Sequence, residues 1–285
     1  MHTISIFVDQ NRMPKLASYF ECQTHLAKNL RNSANFIVRN LRTGLKKDPV
    51  DRTSNENEVI KTVRIGIEMA NEKLQKDVDR LTKQLQSLPA SDPARTKIQK
   101  RIDNKQKNHP IMPTSDHWML TYETLDAVMK NTKNPDYYAM PSQANQHVLR
   151  KVLKDWKSHF ELLASYRQNP GKFKAQPKQP GYIKTPYTTV TFTNQVAKRS
   201  DIKGKMHITF PRCSVPICVG KPEGSYVRTE VKPSYGGYMV YVTFQDEVKT
   251  PDIPENPTRI LGLDPGLDNF LTALTNFSST PFIID

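Results

Sequence analysis

Asp264 stands at the end of Ile260-Leu-Gly-Leu263, a short apolar run that reads as a buried strand, and Pro265-Gly266 after it forces a turn. A carboxylate in that position suits a metal ion. The strand fixes its direction, and the cation offsets the cost of desolvating the charge. Phe270 to Leu274 reads as a second apolar strand, so the two are expected to pair as a hairpin. The competing reading is a polar turn with no ligand role, and Asp-x-Gly spacing alone does not separate the two. Asp268 is read as a turn or cap residue. Cys213 and Cys218 carry half of a metal knuckle but lack a second cysteine pair, which favours two buried thiols flanking Pro216. With Cys22 they make an odd, sparse set that fits a reducing compartment and not a disulfide scaffold.

The second chemical signature is positive charge. The 285-residue chain carries a formal charge of +14, which favours a polyanionic partner, nucleic acid above all. The charge is concentrated between Glu161 and Asp201, where seven Lys or Arg occur without an acid. Within that span Arg167, Lys172, Phe173, Lys174, Lys178, Tyr182 and Lys184 interleave cations with aromatics, and Pro170, Pro177 and Pro180 keep the backbone extended. Such a track suits phosphates and exposed base faces; the plainer alternative is a basic linker. No apolar run is long enough to span a bilayer, and the N-terminus lacks a signal-peptide pattern. No membrane partner and a cytoplasmic location are therefore expected.

These residues need elements to position them. Residues 3–8 alternate as a strand. From about Leu16 a helical period carries Leu26, Leu30, Ala34, Ile37 and Leu41, with Lys28, Arg31, Arg39, Arg42, Lys46 and Lys47 on its other faces. Those cations are either a solvated face or a phosphate-contacting one. Residues 48–57 read as a loop. Ile60, Ile67, Leu74, Leu81 and Leu88 then recur every seven residues along a long helix, which the shorter helix 94–107 is expected to meet as an antiparallel hairpin. Ser115 is read as the N-cap of a helix to about Asn131, and 142–167 as a strongly amphipathic helix. Its Val148, Val152, Trp156, Phe160 and Leu163 form a core stripe, and Arg150, Lys151, Lys154 and Lys157 a polar side. After Pro186 the pattern turns to strands at 188–193, 205–210, 214–219, 226–232 and 238–245. The expected fold is α+β: an antiparallel sheet or small β-barrel, with the N-terminal strand joining it and the helical region as an insertion. The expected divisions are residues 1–15, 16–168, 169–250 and 251–285, with the charged, Pro-rich stretch 247–257 read as a linker.

Four stretches resemble the TnpB family, the OrfB-type insertion-sequence proteins related to type V CRISPR effectors. They are Lys28-Asn-Leu-Arg-Asn-Ser-Ala-Asn-Phe-Ile-Val-Arg39, Met140-Pro-Ser-Gln-Ala-Asn-Gln-His-Val-Leu-Arg150 running through Trp156-Lys-Ser-His-Phe160, Phe173-Lys to Gly181-Tyr182, and Leu261-Gly-Leu-Asp-Pro-Gly-Leu-Asp-Asn-Phe270 with Pro281-Phe-Ile-Ile-Asp285. The resemblance implies a wedge-type barrel with a helical recognition insertion, followed by the first hairpin of a RuvC-like domain of RNase H fold. It implies guide RNA and target DNA as partners and an RNA-guided, Mg²⁺-dependent DNA endonuclease as the activity, with Asp264 matching the first RuvC carboxylate and metal ligand. Family members continue beyond the match to Asp285, so the second and third carboxylates and the family's four-cysteine zinc site are missing. The chain is therefore expected not to cleave alone and to need a complementing C-terminal part. The expected nucleic-acid contacts are Lys28, Arg31, Arg39, Arg42, Arg150, Lys154, Arg167, Lys172, Phe173, Lys174, Lys178, Tyr182 and Lys184. The alternatives are a non-catalytic RNA- or DNA-binding module or repressor and, more distantly, a strand-transfer transposase.

Overall fold

A computed structural model describes residues 1–89, 92–107, 109–246, 258–265 and 271–284. The chain divides into two compact units, Met1–Gln245 and Asp246–Asp285.

The larger unit begins with strand β1, His2–Asp9, and helix α1, Pro14–Leu45. Helix α2, Ser54–Ser87, starts at a capping box rather than after a long loop. Thr53 Oγ1 accepts from the Glu56 N–H, and the Glu56 carboxylate accepts from the Thr53 N–H, satisfying two helix-end donors at once. The far half of α2 packs on α3, Ala94–Lys107, through Val78, Leu81 and Ile102, which is the expected self-contained hairpin. Its near half packs on α1 and on α4, Tyr122–Asn131. Helix α4 begins later than Ser115 suggested, because Thr121 is the residue that caps it by accepting from the Thr124 N–H. A short helix α5, Pro135–Ala139, leads into α6, Ser142–Gln168. Val148, Leu149, Val152 and Trp156 of α6 are buried, so this stripe is core.

The strands that follow are β2 (Val190–Thr193), β3 (Lys198–Ile202), β4 (Lys205–Thr209), β5 (Ile217–Gly220), β6 (Ser225–Ser234) and β7 (Gly237–Gln245). They form two antiparallel sheets, ordered β1-β7-β6-β2 and β3-β4-β5. The N-terminal strand does join the later ones: His2 lies opposite Phe244 and Asp9 opposite Gly237. All the helices from α1 to α6 therefore lie between two strands that are neighbours in one sheet. The expected closed barrel is not formed among the described residues. The strands form separate sheets of four and three, and no ladder joins the two among the described residues. Helix α1 covers their apolar sides instead. Its Phe20 packs edge-on against Phe210, beyond β4, at 5.1 Å, and against Tyr238 of β7 at 5.9 Å.

The thiols are not the buried pair expected. Ile217 and Val219 point inward on β5, so pleating turns Cys218 outward, and Cys213 is half-buried.

In the smaller unit, β8 (Leu261–Asp264), β9 (Leu271–Thr275) and β10 (Ser278–Ile284) form an antiparallel sheet with β9 in the middle. The expected hairpin is present, with Asp264 opposite Thr272. Its first strand is not buried. Leu261 and Leu263 are 53 % and 55 % exposed, because the described residues of this sheet provide no layer to cover it. The linker expected at 247–257, and Asp268 and Asp285, lie outside the described residues.

Candidate nucleic-acid interface

One face of α6 is core and the other is a wall. Gln143, His147, Arg150, Lys151 and Lys154 recur at three- and four-residue steps on the face away from Trp156. The wall stands over the open side of β2 and β6, where alternation sends Thr191, Arg228, Glu230 and Lys232 out of the sheet. Together with Arg31 of α1 they line a hollow of about 500 Å³. Two further hollows of about 480 Å³ continue it. One shares His147, Arg150 and Arg228. The other shares Arg31, Lys151 and Thr188, and adds His159 and Lys178. From Gln143 to Leu162 the groove follows roughly 28 Å of helix at 1.5 Å per residue.

Seven cations line this groove, Arg31, Arg150, Lys151, Lys154, Lys178, Arg228 and Lys232, against two carboxylates, Asp155 and Glu230. Asp155 pairs with Arg31 at 2.8 Å, and Glu230 with Arg228 at 3.5 Å. The surplus charge draws polyanions towards the floor. Arg150 is held over the Tyr122 ring at 4.3 Å, which fixes its direction. Burial, reinforced by Arg150 and Arg228, pushes the His147 pKa below its ordinary value.

The Pro-rich track is fastened to α1. Asn32 donates to the Ile183 carbonyl at 3.0 Å and accepts from the Ile183 N–H at 2.8 Å. The buried Asn35 donates to the Pro180 and Gly181 carbonyls, both at 3.2 Å, and accepts from Trp156 Nε1 at 2.8 Å. Farther along, the Thr188 N–H donates to the Thr24 carbonyl and Tyr187 Oη donates to Glu21. Two asparagines thus bond residues 180–183 in register with α1, so this end of the track is not a loose linker.

The thirteen sequence-predicted contacts are not one surface. Arg31, Arg150, Lys154 and Lys178 meet in the groove. Lys172, Lys174, Lys184 and Arg167 are exposed along the track and at the end of α6. Phe173 packs edge-on against Tyr166 at 5.7 Å, and Arg39 lies 5.8 Å over Tyr182. Lys28 Nζ donates to its neighbour Asn29. Arg42 is structural: its guanidinium lies 5.0 to 5.8 Å from the rings of Phe160, Trp118 and Trp156, and burial lowers its pKa. Sequence reasoning set aside Lys151 and missed His147, Arg228 and Lys232. The last two had a signal, because Arg228, Glu230 and Lys232 alternate with buried Thr229 and Val231.

Asp264 is exposed at the end of β8. The described residues contain no cluster of three or more metal-ligating side chains. Mg²⁺ takes near-octahedral oxygen coordination, which one carboxylate does not supply. The residues described do not make that site. No family model and no curated protein matches this chain.

Proposed function

We propose that this chain is a TnpB-like nucleic-acid-binding protein whose larger unit grips guide RNA and its heteroduplex with target DNA. The observation that supports this most is the groove between α6 and the open side of β2 and β6, with seven cations against two carboxylates. Charges of that kind hold sugar-phosphate shape and leave the reading of sequence to base pairing. In this reading the two larger-unit sheets serve as the wedge-type part, and β8–β9–β10 as the opening strands of an RNase H-like domain in which Asp264 is the first carboxylate. Two-metal cleavage holds ions about 3.5–4 Å apart with several acidic ligands, so cutting requires carboxylates besides Asp264. A second reading is a binder without chemistry, which the same groove cations support and which needs no second carboxylate. The described residues also include no helix long and apolar enough to cross a membrane.

The test is RNA affinity across a salt titration. Each phosphate contact contributes about 0.7–0.9 to the slope of log affinity against log salt. Replacing Arg150, Lys154 and Arg228 by Ala should flatten that slope by roughly two to three units. An unchanged slope in a folded triple variant refutes the groove. Sequencing the RNA that copurifies separates a guide, seen as one abundant species, from generic binding. Cleavage of target DNA with Mg²⁺ that vanishes in Asp264→Ala would decide against the non-catalytic reading.

A further inference from the structure

The groove floor does not stop at β6. The sheet β1-β7-β6-β2 has one face buried on α1, through Val8, Val190, Phe192, Val231 and Val240. Its other face carries the out-facing residues of all four strands. On the wall side these are Thr191, Arg228 and Lys232, already part of the groove. One and two strands farther on they are Tyr241 and Met239 of β7 and Phe7 of β1. A solvated face of an antiparallel sheet is ordinarily polar, yet Phe7 is 40 % exposed here and its cross-strand partner is Met239. Tyr241 lies opposite Ser5, which makes it the diagonal neighbour of Phe7, a separation of about 7–8 Å. Lys232 Nζ sits 4.7 Å over the Tyr241 ring, so a cation from the groove already reaches the aromatic patch.

We propose that Phe7 and Tyr241 form a stacking platform for unpaired bases of the bound RNA, where it runs as a single strand outside the heteroduplex with its phosphates along the groove beside α6. This rests on the reading of that groove as a phosphate site and adds what the bases do. Both side chains stand on the open face of the sheet, and stacking tolerates any sequence because every base has a π-face. The Phe7 ring tip lies by Gly237, on the side away from Tyr241, so the two rings stand farther apart than stacked neighbours and take bases that are pulled apart. Charge complementarity fixes the polarity of the arrangement, with phosphates towards Arg228 and Lys232 and bases towards β7 and β1.

The test uses two probes of equal charge: an oligouridylate of roughly 12 nucleotides, within the span such surfaces occupy, and an abasic ribose-phosphate strand of the same length. The full chain should prefer the oligouridylate by about tenfold or more. In the Phe7→Ala, Tyr241→Ala double variant the preference should fall to near unity, with the salt slope for either probe unchanged. Should that variant fail to fold, Phe7→Leu with Tyr241→Leu keeps the apolar area and should abolish the same preference. Equal binding of both probes by the unmodified chain, or a preference that survives in the variants, overturns the platform and leaves the groove standing. If neither probe binds, the groove reading falls as well.

Discussion

Asn35 should be the costliest polar side chain to remove from the larger unit, because three elements meet on it. Its amide accepts from Trp156 on α6, donates to two track carbonyls and is itself carried by α1. Asn35 is 1 % exposed and Trp156 fully buried. Asn35→Ala leaves the indole N–H without an acceptor, which costs about 1–3 kcal/mol, and removes the bonds to the track at about 0.5–1.5 kcal/mol net. A loss of roughly 2–4 kcal/mol is expected, large against a total stability of about 5–15 kcal/mol. Urea unfolding measures it as a lower midpoint at unchanged slope. A double-mutant cycle with Trp156→Phe isolates the indole bond and should give a coupling of about 1–2 kcal/mol. The variant should also expose the track to trypsin at Lys178 and Lys184 before global unfolding. A loss under about 0.5 kcal/mol with no coupling and no faster cleavage would refute the claim that α1 holds the track through this residue.

Acid should weaken the start of α2. Lys47, then the Thr53 N–H, hold the Glu56 pKa down at about 2. A carboxylate lowered on folding stabilises above its unfolded pKa near 4.5, and that contribution is lost as pH falls towards 2. Urea midpoints should therefore decline over that window, and Glu56→Gln should flatten the decline while lowering stability at neutral pH. Gly66→Ala should destabilise by about 1–3 kcal/mol despite a better helix propensity, because the new Cβ would lie 2.8 Å from the Val128 Cα of α4; a rise in melting temperature would contradict this. Changing Lys172, Lys174 and Lys178 together to Ala should flatten the RNA salt slope by roughly two to three units with the circular dichroism spectrum intact. An unchanged slope would exclude the track, Lys178 with it, and leave the phosphate contacts to the groove's other cations, Arg31, Arg150, Lys151, Lys154, Arg228 and Lys232.

The elements were legible where a single period dominates. Alternation marked β1 and its joining of the later strands, and the heptad from Ile60 to Leu81 marked the α2–α3 hairpin. Strand β3 was hidden because Lys198-Arg-Ser-Asp-Ile202 is exposed except at the half-buried Ser200 and shows no apolar alternation. The groove was legible only in part because its cations come from α1, α6, the track and β6, and charge density along the chain cannot say which of them converge. Arg42 shows the reverse failure. It looked like a phosphate contact because no acid is near it in sequence, but the residues that compensate its burial are aromatic rings more than seventy positions away.

The pairing of β1 with β7 also sets a timetable for synthesis. Asp9 meets Gly237, so the first strand emerges about 230 residues before the strand it pairs with. At ribosomal rates of about 5–20 residues per second, that is a wait of roughly 11–46 s. Throughout it a segment rich in isoleucine and valine has no hydrogen-bonding neighbour from its own sheet, the condition in which strands find foreign partners. The helices have local contacts and can pack as they appear. The larger unit thus completes its sheet last, and a chaperone that recognises nascent chains has its natural target in residues 3–8.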